Sequence, residues 1–316
     1  MIELLNIPHS KNYFHDFLRT FYKVQNCNKN IIIKSHEVYD EVIEFIKNND
    51  TQNITYKISA VLNFNLSNSQ IYFEPVWFSK LIFFYKLNPS SLKQLCHDYK
   101  KPKKFFEILL GSLQTSDNDI RYNKIFVKKF ILENNLDKNN LLKYVEYEGK
   151  INLLKNNKKN FDLGFNSEEQ DFDNKRTTFD IINYKNINIQ ISNILPIEIY
   201  NQTYYSVIAE SRYRNDYTFF TEKTVKPIVA KRLFIAFCGQ YYLKNLQSLG
   251  FQTFNNIIDE SYDSVENDIE RWTKASQQML FLMEKPSKEI VEKIQTVVEF
   301  NFKHLKENFL KFNHYF

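Results

Sequence analysis

The sequence predicts an α/β protein in two halves, each with a mostly parallel sheet, closed by long helices. Three observations point there. Short apolar runs of strand length alternate with segments of helical spacing over 1–150, and the alternation resumes over 187–316. Between them, 151–186 is a polar connection with both charge signs and weak periodicity. Two long helical patterns, separated by Pro286, end the sequence. In open parallel sheets, ligands bind outside the carboxyl ends of the strands, so two such halves suggest an enzyme with a central cleft.

Composition allows this. Of 316 residues, 43% are hydrophobic, with 29 Phe and 20 Tyr, enough to fill a sizeable core. The net charge of +5 suits an anionic ligand without demanding nucleic acid. Lysines gather at Lys100–Lys104 and Lys155–Lys159, and both groups read as solvated surface. Cys27, Cys96 and Cys238 are odd in number and far apart, which indicates neither a disulfide framework nor a zinc site. The start, MIELLNIPHSKNYF, lacks a basic-then-apolar leader, and no run nears the ~20 apolar residues of a membrane span. The expectation is a soluble, cytoplasmic chain.

In the first half, Asn30–Lys34 reads as a buried strand. "SHEVYDEVIEFIKNND" follows as a helix with Val38, Val42, Ile43, Phe45 and Ile46 on one face and Ser35 as a candidate cap. "TYKISAVLNF" alternates like a strand, and "SQIYFEPVWFSKLIFFYKL" mixes a strand with an aromatic helix or loop. "KKFFEILLGS" is a further apolar run, "NKIFVKKFILENN" has helical spacing and "NLLKYVEYEG" reads as a strand. In the second half, "YYSVIAES", "TEKTVKPIVAK", "RLFIAFCG" and "QYYLKNLQSLG" read as strand, helix, strand and helix, the last ending at Gly250 as its C′ residue.

The start of "TEKTVKPIVAK" is where charge and backbone conflict. Thr221 is a good N-cap and Glu222 suits the positive end of a helix. Lys223 does not suit it, because a cation in the first turn is unfavourable by about 0.3 kcal/mol or more. A bound anion reverses that sign, since a phosphate gains from the free backbone N–H groups and the lysine together. Glu222 would then take ribose hydroxyls and Lys223 a phosphate; the alternative is that Glu222 merely caps the helix and Lys223 lies at the surface. Pro227 falls beyond the four free N–H positions and should kink the helix or delay its start.

The stretch "VIAESRYRNDYTFFTEKTVKPIVAKRLFIAFCG" resembles the donor-binding region of alpha-1,3-fucosyltransferases and related sugar transferases with two Rossmann-like lobes (the GT-B type). The likeness rests on Glu210, Phe220, Thr221, Glu222, Lys223 and the strand leading to Gly239, with "LQSLGFQTFNNIIDESYD" where that family has an apolar-acidic segment. It covers roughly 195–275. A set of uncharacterised viral and bacterial proteins shares the Thr-Glu-Lys and Gly-Phe-x-Thr-Phe…Asp-Glu-Ser-Tyr-Asp signatures. Ser211 replaces the family's Asn, and the base-contacting aromatic stays open between Tyr217, Phe219 and Phe220. The resemblance implies that Glu222 holds the ribose, Lys223 the diphosphate, and that Glu210 orients the sugar or the helix loop. Asp259, Glu260 and Asp263 would lie near the cleft, or else cap the helix that follows.

A diphosphate needs a second cation. Arg121, after a predicted strand and just before a helix, is the candidate, with Lys124 and Lys128 following it; its alternative is plain surface. The base that deprotonates an acceptor hydroxyl is expected from the first half. Glu74, among Tyr72, Phe73, Trp77 and Phe78, has the surroundings to raise a carboxylate pKa, with His9, His36 and His97 as rivals. Asp171-Phe172-Asp173 matches a metal motif formally but sits in the polar connection, and no Walker, zincin or dinucleotide fingerprint occurs.

These expectations add up to a glycosyltransferase moving a sugar from a nucleotide-diphosphate sugar to an acceptor hydroxyl by metal-independent, inverting displacement. No cofactor beyond the donor is expected. The acceptor would be a carbohydrate, a lipid-linked glycan or modified DNA. The alternative is a non-catalytic nucleotide- or glycan-binding protein that retains the donor half. With 5 glycines in the chain and none in the Glu210–Thr221 loop, phosphate-cradling backbone is scarce, which favours that alternative.

Overall fold

The computed structural model describes residues 2–8, 13–26, 29–76, 78, 103–113, 120–145, 181–184, 187–190, 195 and 197–309. The polar connection over 151–180 lies outside these, and with it Lys155–Lys159 and Asp171–Asp173; so do His9, Cys27, Trp77, Cys96 and His97.

The described chain is mixed α/β, with two four-stranded sheets that are parallel throughout. The first has the order β1 (Ile2–Asn6), β2 (Asn30–Ser35), β3 (Ile54–Ile58), β5 (Gln70–Phe73). Helices α1 (Phe14–Gln25) and α2 (Asp40–Asn48) are its crossovers. Their apolar faces meet in a ring stack: Phe21 lies 4.8 Å from Phe45, Phe17 5.2 Å from Phe45, and Phe45 6.5 Å from Tyr56 of β3. Ser35 does not cap α2. It ends β2 and donates to the Glu37 carbonyl, and the helix begins only after Tyr39.

The second sheet has the order β12 (Phe234–Ala236), β10 (Thr203–Ile208), β6 (Lys104–Ser112), β7 (Leu141–Val145). Two of its strands thus precede the polar connection and two follow it. The chain runs from β6 through α3 (Tyr122–Glu133) to β7 on one side, and from β10 through α5 (Glu222–Val229) to β12 on the other. Strand order therefore reverses between β6 and β10, and that is a topological switch point. Crossovers of one hand running in opposite directions put α3 and α5 on opposite faces. The two long helices divide accordingly. α7 (Asp268–Glu284) packs on α3, with Phe126 5.7 Å from Trp272, and α8 (Ser287–Asn308) packs on α5, where Lys231 pairs with Glu299.

Short pieces complete the chain: α4 (Ile197–Asn201) before β10, α6 (Tyr242–Ser248) after β12, and an antiparallel hairpin of β8 (Ile181–Tyr184) and β9 (Ile187–Gln190). Gly250 follows α6 at φ +90°, as its C′ role requires. One more pairing ties the sheets together. β11 (Tyr217–Phe219), from the loop after β10, runs antiparallel to β4 (Ala60–Leu62), so Tyr217 and Phe219 are buried in the first core.

Candidate functional site

The site grows from the carboxyl ends of β6 and β10. At the first, β6 bulges between Leu109 and Gly111, and Gly111 takes φ +62°, a conformation that suits a residue without Cβ. The bulge leaves the Ser112 carbonyl to accept from Lys124 Nζ at 3.2 Å and from Arg121 at 3.1 Å. Both cations come from the start of α3, whose first turn carries no acid. Between them, Asn123 donates to the carbonyls of Glu210 (2.9 Å) and Phe237 (2.8 Å), stitching α3 to the ends of β10 and β12.

At the second end, Glu210 is fully buried. Its carboxylate accepts from the Thr221 N–H (2.9 Å), the Thr221 hydroxyl (2.5 Å) and the Thr224 hydroxyl (2.6 Å). Thr224 also meets the Tyr242 hydroxyl. Glu210 is therefore a pin that fixes the first turn of α5, the second of its two implied roles. Thr221 is the N-cap, as the sequence predicts, and Pro227 does not delay the start. Lacking an N–H, Pro227 has nothing to give the Lys223 carbonyl one turn earlier.

Glu222 and Lys223 are partly buried, 13% and 19% exposed, and bonded to each other at 2.9 Å. Lys223 also donates to the Thr221 hydroxyl at 3.2 Å. Burial acts to raise the Glu222 carboxyl, but Lys223 and Lys226 outweigh it and hold it near about 2. Lys223 is raised, the attraction of Glu222 and Glu210 outweighing burial and the repulsion of Arg121. Lys124 is pushed well below its ordinary value, by burial first and then by Lys223 and Arg121. Burial pushes Glu210 up, Lys223 opposing and Glu222 adding. Three basic side chains from two helices thus face two carboxylates, and one of each, Lys124 and Glu210, is driven toward its neutral form.

The other predicted residues fall elsewhere. Phe220 is buried, its ring 5.1 Å from Tyr242, 6.0 Å from Phe78 and 6.3 Å from Phe73. With Tyr217 and Phe219 buried as well, all three aromatics pack on protein and none offers a face to a base. Asp259 accepts from the Ser261 N–H and is exposed. Glu260 accepts from the Thr253 hydroxyl (2.6 Å) and the Phe254 N–H (2.7 Å), fixing the Phe251–Phe254 stretch. Asp263 caps the preceding helix, α6, through the N–H groups of Leu243 and Lys244. The following helix, α7, is capped instead by Asn267.

Glu74 corrects an expectation. It follows β5 and sits 3.7 Å from Lys34 and 3.6 Å from His36. Burial acts to raise its carboxyl, but the approach of His36 and the positive charges of Lys34 and Lys57 bring it below the ordinary value. Its aromatic neighbours in sequence suggested the reverse; its neighbours across the sheet decide.

Asn123, Lys124 and Thr224 complete the cluster. Lys124 carried a sequence signal as the second cation after Arg121; Asn123 and Thr224 carried none. Among the described residues, no group of three or more His, Cys, Asp or Glu is placed to hold a metal ion, and no helix is long and apolar enough to cross a membrane. No family model, curated protein or solved structure matches the chain. The geometry alone therefore bears on what the site does.

Proposed function

We propose that the chain is a glycosyltransferase that seats the diphosphate of a nucleotide sugar at the carboxyl ends of β6 and β10. One observation carries this reading: Arg121, Lys124 and Lys223 converge at the switch point, close enough that Arg121 and Lys223 join burial in pushing Lys124 toward its neutral form. Helix α3 also begins there with no side-chain cap, and backbone N–H groups at such a helix start favour an anion. A diphosphate would relieve the repulsion between the three cations, which in turn would meet the charge that develops on it as it leaves. Glu222, held ionised, is suited to accept hydrogen bonds from a ribose diol. The acceptor would approach from the first sheet, whose carboxyl edge reaches the site through the contact between Phe73 and Phe220. Two Rossmann-like lobes with a cleft between them are the architecture this reading implies.

A second reading is favoured by one observation. Glu74 is paired with Lys34, and Glu210 is consumed as a pin, so neither carboxylate is poised as a base. A nucleotide-binding protein without catalysis would look like this.

Thermal shift with ADP, GDP, UDP and CDP tests the site. One of them should stabilise the chain by about 2.7 kcal/mol at a concentration 100-fold above its Kd. Glu222→Gln and Lys223→Ala should each lose the response. No response in the parent chain would contradict the reading. Release of a nucleoside diphosphate from a nucleotide sugar separates the transferase from the binding protein.

A further inference from the structure

Resting on the transferase reading, we infer that His36, oriented by Glu74, is the group that takes the proton from the acceptor hydroxyl. The parallel register of the first sheet brings them together. β2 ends at Ser35 and β5 at Phe73, so His36 and Glu74 are the next residues beyond two carboxyl ends that flank β3. The backbone holds that edge firmly: the Glu74 N–H bonds to the Ile58 carbonyl at 2.7 Å, and the Ser59 N–H to the Ser35 carbonyl at 3.1 Å. His36 Nε2 then lies 3.6 Å from Glu74 Oε2, while Lys34 Nζ lies 3.7 Å from Oε1. Lys57, in register with Lys34 on the neighbouring strand, adds a further positive charge toward Glu74.

The chemistry divides the pair. The Glu74 carboxylate has one oxygen turned to Lys34 and the other to His36, whereas a neutral imidazole with one nitrogen toward a carboxylate keeps the other as a proton acceptor. Accessibility divides them the same way, since the His36 side chain is 30% exposed and that of Glu74 is 16% exposed. One ring contact links the pair to the anion site: Phe73 precedes Glu74, Phe220 precedes Thr221, and their rings are 6.3 Å apart.

In the step, the acceptor oxygen forms a bond to the anomeric carbon as the bond from that carbon to the diphosphate oxygen breaks. The electron pair of the broken bond leaves on the nucleoside diphosphate, and the hydroxyl proton passes to the His36 imidazole. Glu74 is a positioning residue that steadies the imidazolium so formed.

The test measures nucleoside diphosphate released from UDP-, GDP- and CDP-sugars with water as acceptor, across pH 5–9, alongside thermal shift by the free nucleoside diphosphates. His36→Ala should lower the rate by about 100-fold or more, flatten the acidic limb of the pH profile and leave the thermal shift unchanged. Added imidazole should restore part of the rate. Glu74→Gln should lower the rate less, by about tenfold, and leave the thermal shift unchanged. An unchanged rate in His36→Ala overturns the inference, as does a joint loss of rate and thermal shift that imidazole does not repair. A larger loss in Glu74→Gln than in His36→Ala overturns it in favour of Glu74 as the base. Nucleotide binding with no release from any sugar overturns it while the anion site stands. Absence of any nucleotide response removes the transferase reading first.

Discussion

Replacing Glu210 separates a pin from a ligand contact. In Glu210→Ala the Thr224 hydroxyl keeps Tyr242 as a partner, but the Thr221 N–H and the Thr221 hydroxyl hydrogen lose their acceptor in a buried place. At about 2 kcal/mol for each stranded donor, the loss is about 4 kcal/mol. Glu210→Gln keeps the side-chain carbonyl for the Thr221 N–H, and the hydroxyls can turn to accept from the new amide, so about 1 kcal/mol is expected. Glu210 is raised by burial, so its contribution is fully present below the ordinary glutamate range and is lost as pH rises through the folded value; Gln removes that loss. Urea unfolding read through Trp272, buried with its indole N–H on the Cys238 carbonyl, reports this region. With an m-value of about 3 kcal/mol/M, the midpoint should fall by about 1.3 M in Ala and about 0.3 M in Gln at pH 6. Equal shifts in the two variants, or an Ala variant as stable as the parent, would refute the pin.

Three further outcomes follow from the same structure. Burial pushes the Glu107 carboxyl up to about 8, against the pull of Ser206, Tyr200 and Arg232, so the folded chain keeps a proton that the unfolded chain gives up near 4.5. Its stabilisation is present below 4.5 and lost as pH rises through about 8, and Glu107→Gln should therefore gain about 4 kcal/mol on the parent between pH 5 and 8.5 in urea unfolding. Gly239 has no room for a side chain, since a Cβ would lie 2.1 Å from the Arg214 carbonyl oxygen; Gly239→Ala should cost about 3 kcal/mol, seen as a lower Tm. Arg214 and Asp40 form an ion pair between the two sheets' surroundings but are 60% and 46% exposed, so Arg214→Ala should cost no more than about 1 kcal/mol, and less in high salt.

The strands and helices with strong period were legible because they are local. The helix start at Thr221 and the C′ role of Gly250 could be read from residue type alone. β1 and α1 carried weaker signals, because Ile2 and Leu4 stand exposed on an edge strand and spoil the alternation. The pairing of β6 with β10 was not legible, since Lys104 meets Thr203 across nearly a hundred residues and no local pattern encodes that register. Half of the candidate site depends on that pairing: only when β6 and β10 are neighbours do Arg121 and Lys124 face Lys223. Glu74 shows the same limit. Its sequence neighbours are aromatic, but Lys34, His36 and Lys57 arrive from other strands and reverse the sign of its shift. Phe220 was legible as important but not as core, because a ring beside a polar tripeptide looks the same whether it packs inward or on a ligand.

Isothermal titration of nucleoside diphosphates, repeated in buffers of different ionisation enthalpy, tests the anion site most directly. Lys124 is held well below its ordinary pKa by burial and by Lys223 and Arg121, and a bound diphosphate favours its charged form. Binding should therefore take up protons. Lys223→Met should weaken it by about tenfold or more, which is about 1.4 kcal/mol, and Lys124→Met should abolish the uptake. No binding heat with any nucleoside diphosphate, or an affinity indifferent to both lysines, would contradict a diphosphate site at this switch point.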